Sequence, residues 1–63
     1  MPTDFLAAYD AAIALLGYGL HTDRALRHVG GLTWRQIHAL TDAGIIRAVA
    51  VYGSQVQYRC LFS

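Results

Sequence analysis

The hydrophobic positions near the start of the chain recur with the period of an α-helix. Thr3 or Asp4 supplies an oxygen for the N-cap, and Gly17 and Gly19 end the repeat. The pattern therefore predicts a first helix over about residues 4–17. Its apolar side chains share one helical face. This face consists of Phe5, Tyr9, Ala12, Ile13 and Leu16.

Two shorter helical segments follow. Leu20 and His21 form a short extended link, and Thr22 can cap a second helix over about residues 23–29 that ends at Gly30. The cap gives this helix a defined start, and the glycine gives it a defined end.

The third helix has the clearest start signal in the chain. Thr33 and Gln36 have the spacing of a capping box, in which each side chain accepts a hydrogen bond from the other residue's backbone N–H. The helix is expected over about residues 34–43 and ends at Gly44. Its inward face is expected to consist of Trp34, Ile37, Leu40 and Thr41.

After Gly44 the hydrophobic period changes from that of a helix to two, which is typical of strands. This pattern predicts two strands, over residues 45–52 and 55–62. The dipeptide Gly53-Ser54 between them suits a type II′ turn, because its first residue is glycine. The turn sets the expected register. The expected pairs are Tyr52–Gln55, Val51–Val56, Ala50–Gln57, Val49–Tyr58, Ala48–Arg59, Arg47–Cys60, Ile46–Leu61 and Ile45–Phe62.

These elements predict an α+β fold in which three helices are followed by a C-terminal two-stranded antiparallel β-hairpin. The 63 residues suffice for a single domain, residues 1–63, with a small core. Hydrophobic residues make up 56% of the chain and charged residues 14%, so a second copy is expected to cover apolar surface. The expected dimer interface on the first helix is Phe5, Leu6, Tyr9, Ile13 and Leu16.

Charge is distributed unevenly along the chain, although the net charge is only +1. All the basic residues are arginines and all the acidic ones are aspartates. Three of the four aspartates lie in the first 23 residues, whereas every arginine lies after them. Arginine suits bidentate contacts to phosphate and to guanine. The arginines are Arg24, Arg27, Arg35, Arg47 and Arg59.

The segment at residues 33–46, TWRQIHALTDAGII, resembles the recognition helix of winged helix-turn-helix proteins and its passage into the wing. The resemblance covers about residues 20–62 and implies a winged helix-turn-helix fold. It also implies a small bacterial, archaeal or phage regulator of transcription that binds duplex DNA as a dimer, with its third helix in the major groove.

The resemblance assigns DNA contacts by position. Arg35 would read guanine and Gln36 adenine through bidentate hydrogen bonds, and His38 would reach a phosphate or a base. Thr33 would contact a phosphate at the helix N-terminus. The remaining expected contacts are Arg24 and Arg27 near the DNA backbone and Tyr52, Ser54 and Gln55 at the tip of the wing.

A different function stays open: a winged helix that docks on another protein, as a subunit of an assembly or as a small inhibitor from a phage or mobile element. The low charge, the wing tip without a basic residue and the apolar excess favour this alternative. The polarised charge and the positions of Arg35 and Gln36 favour DNA.

Other function classes find little support in the sequence. No nucleophile–base pair, acidic pair or phosphate-binding glycine loop is visible, so we expect neither an enzyme nor a cofactor. The apolar segment at residues 5–16 is too short to span a membrane and no basic N-terminus precedes it, so a cytoplasmic protein is expected. No metal is expected, because the candidate ligands do not have the spacing of a zinc site along the chain. These candidates are His21, His28, His38 and Cys60.

Overall fold

The computed structural model describes residues 4–60, which form three helices and a three-stranded antiparallel sheet. The N-cap candidate Thr3 and residues 61–62 of the expected last strand lie outside the described residues. The elements in chain order are α1 (Asp4–Leu16), β1 (Gly19–Thr22), α2 (Asp23–His28), α3 (Trp34–Asp42), β2 (Ile46–Tyr52) and β3 (Gln55–Cys60).

Both ends of α3 form as the sequence predicts. The backbone N–H of Gln36 donates to Thr33 Oγ1 at 3.1 Å, and that of Thr33 donates to Gln36 Oε1 at 2.9 Å, which completes the capping box. Gly44 adopts a φ of +78° after the last turn, and Ile45 N donates to Leu40 O at 2.9 Å. This is the Schellman closure of a helix, for which glycine is the preferred residue.

Two further predicted boundaries, the start of α2 and the end of α1, are confirmed. Thr22 Oγ1 accepts a hydrogen bond from Ala25 N at 3.2 Å and caps α2. Gly17, with a φ of +81°, follows the last residue of α1, and its N–H donates to Ile13 O at 2.7 Å. Local side-chain chemistry is therefore sufficient to fix where these helices stop and start.

The prediction of a two-stranded hairpin is wrong, because the sheet has three strands in the order β1-β3-β2. The expected extended link is strand β1, in which Leu20 pairs with Arg59 and His21 pairs with Tyr58. A lone hairpin would leave the outer edge of β3 with free N–H and C=O groups. Pairing with β1 satisfies them.

The predicted hairpin register holds only near the turn. Gly53 has a φ of +60° and Ser54 does not have a positive φ, as a type II′ turn requires. The confirmed pairs are Tyr52–Gln55, Val51–Val56 and Ala50–Gln57. Beyond them a β-bulge shifts the register, and the expected pairs Val49–Tyr58, Ala48–Arg59, Arg47–Cys60 and Ile46–Leu61 are wrong. The observed pairs are Ala48–Tyr58, Arg47–Arg59 and Ile46–Cys60.

Burial explains the shift. The regular register would place Arg47 opposite Cys60, which is fully buried at 0% exposure. The bulge leaves Val49 without a partner in the ladder and brings Ile46, 2% exposed, opposite Cys60 instead. The extra residue thus keeps the arginine in solvent and an apolar side chain in the core.

The core lies between the helices and one face of the sheet. Cys60 is buried there, but Trp34, which was expected on the inward face of α3, is 39% exposed. The buried hydrophobic residues are Tyr9, Ala12, Ile13, Leu26, Leu32, Ile37, Leu40, Ile46, Tyr58 and Cys60. Within residues 4–60, no helix combines the length and the hydropathy that a membrane crossing needs.

Candidate nucleic-acid interface

The N-terminal end of α3 presents polar side chains to solvent. Thr33, Arg35 and His38 are exposed, whereas Gln36 is half-buried. The first turn of α3 contains no acidic residue, and its free N–H groups carry the positive end of the helix dipole. This end of the helix is therefore suited to a negatively charged ligand.

Gln36 has a structural role that competes with the role expected from the resemblance. Its Oε1 already accepts the hydrogen bond from Thr33 N. Bidentate recognition of adenine uses both the oxygen and the nitrogen of the amide. While the cap is intact, Gln36 could read adenine in that way only through the second lone pair of Oε1 and in the orientation that the cap imposes.

Arg27 and Trp34 join the surfaces of α2 and α3. The guanidinium carbon of Arg27 lies 5.0 Å from the centroid of the Trp34 ring, which is within the range of a cation–π interaction. The Trp34 and His38 rings meet edge to face, with centroids 6.0 Å apart and an interplanar angle of 61°. The sequence gives no signal for this cluster, because Arg27 and Trp34 belong to different helices and no spacing rule relates them.

The positive charge of this surface is not neutralised by the side chains that the structure describes. Arg24, Arg27 and Arg35 are all exposed, and within residues 5–60 no ion pair joins them to a carboxylate. Arg27 and His28 also lie in the last turn of α2. The exposed surface formed by α2 and the start of α3, which we call the α2–α3 face, is thus cationic.

The expected wing-tip residues lie at the hairpin turn, and Gln55 directly precedes Val56, whose N–H donates to Asp23 at the start of α2. Tyr52 is 62% exposed, Ser54 is exposed and Gln55 is half-buried. They occupy the turn end of the hairpin, whereas α3 leads into the opposite end of β2. Among the described residues, no hydrogen bond or ring contact joins the wing tip to α2 or α3.

The candidate metal ligands and the single thiol are dispersed. His21 Nε2 donates to Gly17 O at 2.8 Å, which ties β1 to the end of α1. Burial raises the pKa of the Cys60 thiol, so the thiol stays protonated in the core. Within residues 4–60, no three potential ligands from His, Cys, Asp and Glu come together.

The expected dimer residues on α1 divide into two groups. Tyr9 and Ile13 are 1% and 9% exposed and belong to the core of one chain, so a second copy has no access to them. Phe5 and Leu16 are half-buried, and Leu6 is 44% exposed. The solvent side of α1 is formed by Leu6, Ala7, Asp10, Ala11, Ala14 and Leu15.

Comparison with known protein families, curated proteins and solved structures gives no match for this chain. The chemistry of the α2–α3 face and of α1 is the basis for the functional proposal.

Proposed function

We propose that this chain is a winged-helix domain that binds duplex DNA as a homodimer and acts as a small cytoplasmic regulator of transcription. The observation that carries the proposal is the cationic α2–α3 face, where Arg35 is exposed at the start of α3 and Arg27 lies over Trp34. A helix that presents its N-terminal end with arginines is suited to the major groove.

Each side chain of the face has a distinct role in this proposal. Arg35 reads guanine through two parallel hydrogen bonds, because its guanidinium is exposed and has no carboxylate partner among the described side chains. Thr33 and Arg24 contact phosphates, and His38 reaches a phosphate or a base. Arg27 is held against Trp34 and supports the shape of the face while its charge attracts the DNA backbone.

A second copy contributes the affinity that one chain lacks. Five arginines allow few phosphate contacts per chain, and phosphate contacts supply much of the affinity for DNA. Within residues 5–16, the solvent side of α1 has one charge, Asp10, among alanines and leucines, of which Leu15 is 69% exposed. Small side chains allow two helices to approach closely, so we place the dimer contact there, with Leu6 retained from the sequence prediction.

Fluorescence anisotropy with mixed-sequence duplexes at low and moderate salt tests DNA binding. We expect saturable binding that weakens as salt rises, because bound arginines release counterions from the DNA. Arg35→Ala should weaken binding to the preferred DNA sequence by about 1–3 kcal/mol. The matched control is Arg47→Ala, which removes the same charge from the outer face of the sheet and should leave binding nearly unchanged.

Two results would decide against this function. One is an absence of binding at tens of micromolar protein in low salt. The other is an equal loss for Arg35→Ala and Arg47→Ala, since this would show that only total charge matters. An Arg35→Ala loss of the same size on every duplex would instead make Arg35 a phosphate contact.

The dimer is tested by light scattering over a concentration series. Ala11→Glu places a charge at the centre of the exposed side of α1 and should produce a monomer that stays folded. Ala43→Glu adds the same charge at another exposed alanine and should leave the dimer intact. A wild-type chain that is monomeric at every concentration would refute the dimer.

Docking on another protein remains the second candidate, and the exposed apolar side chains of the hairpin favour it. Val49, Val51 and Tyr52 are 40%, 70% and 62% exposed, and no arginine lies at the hairpin turn. Exposed aromatic and apolar groups of this kind mark protein contacts more often than DNA contacts. Failure to bind any duplex would favour this function, and Tyr52→Ser would then be expected to abolish capture of the partner protein.

A further inference from the structure

Two arginines face each other across the sheet. The β-bulge places Arg47 directly opposite Arg59 on neighbouring antiparallel strands, and both side chains are exposed. Like charges in this position destabilise a sheet. Within residues 5–60, no carboxylate pairs with either guanidinium, and the neighbour of Arg59 on its other side is Leu20.

The arginine pair borders a groove of about 510 Å³. The groove lies beside the C-terminal end of α3 and the start of β2, and its volume lies within the range of small-molecule sites. Apart from the two arginines, its lining is mainly apolar. The other lining residues that matter here are Thr41, Gly44, Ile45 and Ala48.

We propose that this groove binds a small organic phosphate monoester, with the phosphate between Arg47 and Arg59 and the organic part against Ile45 and Ala48. A phosphate monoester carries a charge of about −1.5 to −2 at neutral pH, so it matches two guanidinium groups, whereas a carboxylate matches only one. The planar guanidinium fork suits two parallel hydrogen bonds to phosphate oxygens. Phosphate binding also relieves the repulsion between the two arginines.

This site is separate from the proposed DNA contact. The groove includes Thr41 and Gly44 at the C-terminal end of α3, whereas Thr33 and Arg35 lie at its N-terminal end. The two ends of this nine-residue helix are about 12 Å apart. Phosphate-ester binding therefore does not rest on DNA binding, and either can fail without the other.

Titration of the ¹⁵N-labelled protein with AMP, followed by NMR at low salt, tests the proposal. AMP should shift the amide signals of residues 44–48 and of Arg59 with a saturable curve. Arg47→Gln and Arg59→Gln should each weaken AMP binding about ten-fold, the loss expected for a charge-assisted hydrogen bond. Arg35→Gln, which removes an equal charge outside the groove, should change AMP binding by less than about two-fold.

Further titrations separate the parts of the ligand. Adenosine lacks the phosphate and should bind far more weakly than AMP, and inorganic phosphate lacks the apolar part and should also bind more weakly. Circular dichroism should show that both groove variants remain folded, since each substitution removes a repulsive charge from the surface.

Several outcomes would overturn the proposal. One is that adenosine or inorganic phosphate binds as tightly as AMP. Another is that Arg35→Gln weakens AMP binding as much as Arg47→Gln does. The third is that binding does not saturate up to about 10 mM AMP, since a weaker affinity would not indicate a built site. Fluorescence anisotropy with duplex DNA distinguishes the two sites. The variants Arg47→Gln and Arg59→Gln should lose AMP binding but keep DNA binding.

Discussion

The carboxylate of Asp23 accepts a hydrogen bond from the backbone N–H of Val56, with 2.9 Å between Oδ1 and the nitrogen. Asp23 is 6% exposed and is the first residue of α2, directly after strand β1. The last backbone pair between β1 and β3 is Thr22–Gln57. The side chain of Asp23 therefore takes over at the next position of the ladder, where the chain has already turned into a helix.

Loss of this contact should destabilise the fold. Asp23→Ala leaves the Val56 N–H without its acceptor in a half-buried position, so we expect a loss of about 1–3 kcal/mol in the free energy of unfolding. Asp23→Asn retains an acceptor oxygen and should lose less. Urea denaturation measures both, and Asp10→Ala on the exposed side of α1 is the control. A loss for Asp23→Ala no greater than for Asp10→Ala would contradict the role of the bond.

Gly30 should be intolerant of any side chain. A Cβ atom at this position would lie 2.7 Å from Leu26 O and 2.9 Å from the Cβ of Ala12, which is closer than van der Waals contact allows. Gly30→Ala should therefore cost about 1–3 kcal/mol in the free energy of unfolding, because the backbone carbonyl cannot move aside freely.

A double-mutant cycle separates this steric effect from a general loss of flexibility. Ala12→Gly in the Gly30→Ala background removes one of the two close contacts, so it should cost less there than in the wild type, by about 0.5 kcal/mol or more. Equal costs in the two backgrounds would show that α1 and Gly30 are not in close contact.

The capping box should behave as one unit. Thr33→Ala should cost about 1 kcal/mol, since it removes the acceptor of the Gln36 N–H. Gln36→Ala removes the reciprocal bond, and the double variant should cost less than the sum of the two single losses. Additive losses in thermal or urea unfolding would mean that the two bonds form independently.

Stability should decline at alkaline pH. Burial raises the pKa of Cys60, and burial followed by the negative charge of Asp23 raises the pKa of Tyr58. Both groups are neutral when protonated, so above their ordinary values of 9.0 and 10.0 the unfolded chain loses protons that the folded chain keeps. The contribution of these two groups to the free energy of unfolding is therefore fully present below about pH 9. As the pH rises further, the free energy of unfolding falls by at most about 1.4 kcal/mol per pH unit for each group.

Urea denaturation at a series of pH values measures this decline. Cys60→Ala removes the thiol, so the fall that begins near pH 9 should flatten and the fall near pH 10 should remain, whatever the effect on stability at neutral pH. Tyr58→Phe should flatten the fall near pH 10 and leave the fall that begins near pH 9. Identical pH profiles for the wild type and both variants would refute the assignment.

Part of the candidate site could be predicted from the sequence. The exposure of Thr33 and Arg35 follows from the cap and the helical period, since both depend on residues within one turn. The placement of Arg27 over Trp34 does not follow, because it depends on how α2 and α3 cross. The arginine pair of the sheet could not be found either, since the regular register pairs Arg47 with Cys60.

The sequence by itself determined where α3 begins and ends and where the hairpin turns. Thr33 with Gln36 starts a helix, Gly44 ends it, and Gly53 begins the hairpin turn, because each signal is a hydrogen bond or a backbone conformation that involves only nearby residues. Such local terms act in the same way whatever surrounds them.

Only the tertiary structure decided which residues meet across the fold. The third strand, the bulge at Val49 and the bond from Val56 to Asp23 join distant parts of the chain, as far apart as Gly19 and Cys60, and none has a local signal. Each arises because buried backbone groups need partners and charged side chains need solvent, and these requirements are set only when the whole core is assembled.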